Sequence, residues 1–202
     1  MANILILGAG SMGTAFSFPC IDNNHNVSII GTHLEDGFID QINSKKIHPS
    51  LNCRISKSVK FLKFEKFQEE IKKKIDLIVV AVVSKGIEWA SLELSKVLEE
   101  NIPILVLTKG LSINNNNYEV LAYKMDRLLK KNGIKETNIS AAGGPCLARG
   151  LANRIHTSVI FSNKDIKVVK EISKLISTDY YHIFVSSDVV GVEVCAAIKN
   201  IF

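Results

Sequence analysis

Asn3-Ile4-Leu5-Ile6-Leu7-Gly8-Ala9-Gly10-Ser11-Met12-Gly13 opens the chain with a short apolar run, a glycine-rich turn and the start of a helical pattern. The turn has the spacing G-x-G-x-x-G, and each glycine has a mechanical reason. Gly8 permits the tight exit from a strand. Gly10 carries no side chain, so a diphosphate can approach the backbone. Gly13 lets the following helix pack closely on the strand. The free N–H groups and partial positive charge at the helix start then favour that diphosphate. A hexapeptide of this kind is weak by itself, but directly behind an N-terminal strand it points to a dinucleotide-binding turn. A Walker-A loop is excluded, because no Gly-Lys-Ser/Thr follows.

Outward from this turn, apolar runs alternate with helical periodicity. Strands are expected at Asn3–Leu7, Val27–Ile30, Val59–Leu62, Leu77–Val82, Ile104–Leu107, Ile139–Ala142, Thr157–Phe161 and His182–Val185. Helices are expected at Phe64–Ile75, Ile87–Leu98, Tyr118–Leu129, Ile166–Ile176 and Val189–Phe202, where apolar residues recur at spacings of three and four. The pattern predicts an α/β fold of the Rossmann type: a doubly wound, mostly parallel sheet with helices on both faces. Pro19 conflicts with the first helix and is expected to kink or shorten it. Residues 1–188 are expected to form the dinucleotide-binding domain, and 189–202 the first helix of a further helical domain. That last helix has an apolar face and no cap, so the chain reads as a piece of a longer enzyme.

Composition narrows the class. No apolar run reaches the roughly 20 residues of a membrane span, and Met1 to Gly10 carries no basic leader. A cytoplasmic protein without a membrane partner is expected. Cys20, Cys53, Cys146 and Cys195 are scattered, without a C-x-x-C pair, so reduced thiols are expected and neither a zinc site nor any other metal. The net charge is +5, but the lysines are dispersed, and Lys72-Lys73-Lys74 suits a helix end better than nucleic acid.

The residues after the second strand bear on the cofactor. NAD sites commonly place an acid there, about 20 residues beyond the glycines, to meet the adenosine ribose. This strand instead ends in Gly31-Thr32-His33; Glu35 and Asp36 come later and can start the next helix. A neutral end beside a histidine tolerates a 2′-phosphate, which favours NADP or dual use over NAD alone.

Three further segments carry candidate chemistry. Thr108-Lys109-Gly110 stands at a strand end, where open α/β sheets bind ligands. Gly143-Gly144-Pro145-Cys146 follows another strand and allows close backbone approach. Lys199-Asn200 follows small and apolar residues on a helix, where burial would depress a lysine pKa and suit it to proton transfer. Singly, each also fits a plain role: a solvated lysine, an ordinary turn, a helix-surface charge.

Their joint order resembles the NAD(P)-dependent glycerol-3-phosphate dehydrogenase family along the whole chain. The residues that carry the resemblance are Gly8 to Ala15, Thr108-Lys109-Gly110, Gly144 to Ala148, Gly191-Val192-Glu193 and Ala197 to Asn200. The resemblance implies reversible hydride transfer between NAD(P)H and dihydroxyacetone phosphate, feeding glycerophospholipid synthesis, in a homodimer. It implies that Ser11, Met12, Thr32, His33 and Ala148 touch the cofactor and that Lys109 meets cofactor and substrate. It implies that Gly144, Cys146 and Asn200 line the substrate site, and that Lys199 is the catalytic acid/base assisted by Lys109. Cys146 departs from the hydroxyl residue of many members, and a thiol is a weaker hydrogen-bond partner. The family's helical domain, with its Asp, Thr and Arg-Asn pair, has no counterpart here, so the chain alone is expected to bind cofactor but turn over little. Two other readings remain at this stage: a 6-phosphogluconate, 3-hydroxyisobutyrate or ketopantoate dehydrogenase, and a dinucleotide sensor without chemistry.

Overall fold

The computed structural model describes residues 1–98 and 101–199. It begins with β1 (Asn3–Leu7), in which Ile4, Leu5, Ile6 and Leu7 are all buried. Then follow α1 (Ser11–Asp22), β2 (Asn26–Ile30), α2 (Asp36–Lys45), a hairpin of β3 (Ile47–His48) and β4 (Cys53–Arg54), and β5 (Val59–Leu62). A 3₁₀ turn leads into α3 (Phe67–Ile71), β6 (Leu77–Val80), α4 (Ile87–Ser95), β7 (Pro103–Val106) and a second hairpin, β8 (Leu111–Asn114) with β9 (Asn117–Val120). The last elements are α5 (Leu121–Lys131), β10 (Asn138–Gly143), α6 (Ala148–Ala152), β11 (Thr157–Ser162), α7 (Ile166–Ile176), β12 (Tyr181–Ser186) and α8 (Val189–Ile198).

Eight strands form one sheet in the order β12-β11-β10-β7-β6-β1-β2-β5. Every neighbouring pair is parallel except β10 and β11. The strand-order reversal falls between β1 and β6, the switch point at which such sheets open a crevice. Both faces are covered, as the continuous apolar runs require. Successive side chains of β1 point to opposite faces. Ile4 and Ile6 pack with Phe16, Ile39, Leu151 and Val169 under α1, α2, α6 and α7. Leu5 and Leu7 pack with Phe67, Ile87, Leu94, Leu121 and Met125 under α3, α4 and α5. Full burial of each such side chain contributes about 1.5–3 kcal/mol, so the glycine turn hangs from a firmly anchored strand.

Several expectations change in detail. α1 is not shortened at Pro19 but continues to Asp22; Gly13 to Cys20 are all buried, so tertiary packing carries the helix across the missing donor. Phe64–Ile75 resolves into the 3₁₀ turn Phe64–Lys66 and the short α3. Tyr118 lies on β9, not on a helix: Asn115 and Asn116, both at positive φ, turn the chain into the β8–β9 hairpin, and α5 starts only at Leu121. The last helix is described to Ile198, with Lys199 as its C-cap; Asn200, Ile201 and Phe202 lie outside the described residues. No helix among the described residues is long and apolar enough to cross a membrane. All four cysteines are free, and no group of three or more metal-ligating side chains occurs among the described residues.

Candidate functional site

The carboxyl ends of β1, β6 and β7 meet along one edge. Gly8 leaves β1 at φ +110°, in the left-handed region, and a Cβ there would stand 2.7 Å from the Ala81 carbonyl oxygen. A Cβ on Gly13 would stand 2.2 Å from the Gly8 carbonyl oxygen. The fold itself therefore demands these two glycines. Gly10 is different: its nearest neighbour would be a Glu35 carboxylate oxygen at 3.9 Å. The space over Gly10 is open, and no protein atom requires it to be. Gly10 is also the N-cap of α1 and provides no side-chain cap, so the first N–H groups of a twelve-residue helix face the opening. An open backbone at an uncapped helix start fits a diphosphate.

This opening is a cleft of about 480 Å³ lined by Gly10, Ser11, Met12, the Ala81–Ser84 segment, Leu107, Thr108 and Lys109. Thr108 donates its hydroxyl to the Val82 carbonyl (2.6 Å), tying the β7 end to the β6 end. A second groove of about 440 Å³ adjoins it, between Gly143-Gly144-Pro145 and α8, with Lys199 on its wall. A Cβ on Gly143 would meet Val192 at 2.7 Å, so the glycine is what lets α8 lie against β10.

Lys109 joins the two. Its Nζ donates to the Gly144 carbonyl at 3.0 Å. Burial, and then the charge of Lys199, holds its ammonium below the usual lysine range. Burial pushes the Cys146 thiol up, against the opposing pull of Lys109. Two lysines thus share one edge with a neutral thiol, and burial first, then the neighbouring Lys199, disfavours the Lys109 cation. That arrangement suits a negatively charged substrate with a carbonyl to polarise.

The helix bearing Lys199 is fixed by Glu193. This residue is 4% exposed, and its carboxylate accepts from the N–H groups of Leu121 and Ala122 at 3.2 and 3.1 Å. It therefore caps α5, which has no side-chain cap of its own. Burial pushes the Glu193 carboxyl up to about 7, in spite of those two donors.

Of the residues expected at the site, Gly10, Ser11, Met12 and Lys109 line the first cleft, Gly8 and Gly13 are buried behind it against Ala81, and Gly144 and Lys199 line the second groove. Cys146 lies under Lys109 and Gly144. Thr32 and His33 stand apart from these linings. The Thr32 N–H donates to Glu35 (2.7 Å), and the His33 ring contacts Trp89 with centroids 5.2 Å apart. Ala148, at the start of α6, packs against the core rather than into the cleft. Asn200 lies outside the described residues. Sequence reasoning missed the Ala81–Ser84 wall, where the small Ala81 side chain is what lets Gly13 pack so closely: a Cβ on Gly13 would stand 3.0 Å from the Ala81 Cβ. It also set Glu35 aside as a helix start. Asp36 begins α2, while the Glu35 carboxylate turns back to accept from Ala9 N–H (3.2 Å) and Thr32 N–H, beside Gly10.

A parallel sheet open at its switch point, with an uncapped glycine turn there, defines a dinucleotide-binding domain of the Rossmann type. Lys109 in the cleft at the turn and Lys199 in the second groove narrow the class. The model of the NAD-dependent glycerol-3-phosphate dehydrogenase N-terminus matches residues 3–169. The chain belongs to this family. It is 28% identical over 201 residues to the NADP(+)-dependent glycerol-3-phosphate dehydrogenase of Archaeoglobus fulgidus, covering 98% of this chain and 58% of the relative. It is 30% identical over 206 residues to the glycerol-3-phosphate dehydrogenase [NAD(P)+] of an Exiguobacterium species, covering 100% of this chain and 57% of the relative. The crystal structure of glycerol-3-phosphate dehydrogenase from Coxiella burnetii shares the fold, with a TM-score of 0.85 at 20% identity over 99% of this chain and 58% of that one. The chain thus spans less than three-fifths of the length of these relatives.

Proposed function

We propose that this chain is the cofactor-binding part of an NAD(P)-dependent glycerol-3-phosphate dehydrogenase that interconverts dihydroxyacetone phosphate and sn-glycerol 3-phosphate. The observation that carries this reading is the Lys109 bridge, with its ammonium between the cleft beside the glycine turn and the groove beside Lys199. Gly10, Ser11 and Met12 hold the diphosphate through backbone N–H groups. When bound, the dinucleotide supplies or accepts the hydride at the substrate C2. The protein's own work is at the oxygen. Lys199, as an ammonium, gives its proton to the oxygen of the forming alkoxide; in the other direction its amine takes the hydroxyl proton. Lys109 holds the Gly144 turn and adds positive charge where the oxygen becomes negative. Cys146 meets substrate through its backbone, since its thiol is neutral and a weak partner.

Both NAD and NADP fit this reading. Thr32 and His33 leave the β2 end open to a 2′-phosphate, and the Glu35 charge is already engaged by two backbone donors. Residues from Val189 onward begin a second, helical domain that completes the substrate site and a homodimer. The product is a glycerophospholipid precursor made in the cytoplasm. In the complete enzyme, Lys199→Ala is expected to lower turnover by about 10²–10⁴-fold and to leave the Kd for NADPH within about twofold. Turnover near that of the parent enzyme, or failure of the parent to bind NADPH, would overturn the assignment.

A further inference from the structure

Ala9, between the first two glycines of the turn, is fully buried, and both its peptide groups are held by side chains from elsewhere. Its N–H donates to Glu35. Its carbonyl accepts from the Thr14 hydroxyl (3.0 Å) and lies 3.3 Å from Nε2 of His48, 39 residues downstream on β3. His48 is 0% exposed, and its ring meets Phe38 edge-on with centroids 4.9 Å apart.

The ring's protonation follows from its neighbours. The Leu51 N–H donates to Nδ1 at 3.2 Å, so Nδ1 is an acceptor. Nε2 must then carry the hydrogen and donate it to Ala9. A second proton, on Nδ1, would point at the Leu51 amide hydrogen within the buried packing around the ring. Burial accordingly keeps the imidazole pKa below the usual histidine value. Two titratable groups face the ring. Glu35, on the segment entering α2, pulls the other way. Cys53, opposite His48 in the β3–β4 pair, has a thiol that burial keeps neutral.

We propose that His48 is a positioning residue for the dinucleotide turn: its neutral imidazole holds Ala9, and with it Gly10, in the shape that receives a diphosphate, and its protonation releases the dinucleotide. The imidazolium must leave the Leu51 amide to find room for its second hydrogen, and it attracts the Glu35 carboxylate that restrains Ala9 from the other side. Both restraints on the turn loosen together. The proposal rests on the dinucleotide-binding reading above.

The test is calorimetric titration of the 202-residue chain with NAD⁺ between about pH 5 and pH 8. Affinity is expected to fall several-fold toward the acid end. His48→Gln keeps a donor within reach of Ala9 and cannot titrate; it should bind within about twofold of the parent at pH 7.5 and show no acid loss. His48→Leu lacks the donor and should bind about tenfold more weakly at pH 7.5, the loss of one net hydrogen bond. The ¹⁵N shifts of His48 should report the Nε2–H tautomer. An acid loss retained in His48→Gln, no acid loss in the parent, or an Nδ1–H tautomer would overturn the proposal. Absence of binding by the parent at pH 7.5 would overturn the dinucleotide reading itself.

Discussion

The two halves of the site are built from different material. The half under β1 and β6 is backbone: Gly8 and Gly13 leave no room for a Cβ, and Gly10 leaves room that the fold does not use. The half between β10 and α8 is side chain: Lys109, Cys146 and Lys199, brought together by Glu193 and by the notch at Gly143. Backbone geometry tolerates almost no substitution but carries no charge to tune. Side-chain geometry can be retuned, and it depends on distant supports.

That contrast can be broken at three points. The largest effect is expected at Gly13→Ala. The new Cβ would overlap the Gly8 carbonyl, and the α1–β1 packing would have to part at a cost of about 3 kcal/mol or more. Urea unfolding should show a large loss, with dinucleotide binding lost as well; a variant of near-parent stability would show that the turn is softer than its contacts imply. The second point is Glu193→Gln. The folded carboxyl titrates near 7 and the unfolded one near 4.5, so the folded state keeps a proton that the unfolded state gives up. That contribution is complete below the unfolded value and is lost as pH rises through about 7, a span of roughly 3 kcal/mol. Melting temperature measured against pH should fall over this window in the parent and stay flatter in the glutamine variant. Equal slopes would mean that Glu193 is ionised throughout. The smallest effect is expected at Thr108→Val. It keeps the shape but removes the donor to the Val82 carbonyl, costing about 1–2 kcal/mol in urea unfolding. No loss would show that the β6 and β7 ends need no such tie.

Sequence legibility follows the same division. The parallel strands were plain in their apolar runs, because burial on both faces leaves no alternation to misread. The glycine spacing was plain because the three glycines sit in one hexapeptide, where Gly13 packs on the Gly8 carbonyl, even though the Ala81 backbone that crowds Gly8 is far along the chain. Tyr118 was misplaced because Asn115 and Asn116 make a hairpin turn in an unbroken polar run, and the period counted across it came from α5 alone. Glu35 and His48 escaped because their role is to hold a peptide group 26 and 39 residues away, which no local pattern records. The Lys109–Gly144 bond, across 35 residues, was approached only through the order of motifs along the chain.

The one antiparallel ladder has a consequence for direction of travel. β10 ends at the site edge, with Gly143 opposite Ile160. β11 therefore runs away from that edge, and β12, parallel to it, does the same. The chain comes back to the sheet at the level of Ala141, which the ladder sets beside Val106, and there α8 starts with Val189 packed against Ala141. One turn on, Val192 already stands against Gly143, the last residue of β10, so the rest of α8 rises past the strand end. Lys199, seven residues beyond Val192, is thus carried about 10 Å past the end of β10, over the site edge. Had β11 run parallel to β10, the same helix would have set out from the site edge and carried its lysine off to the far side.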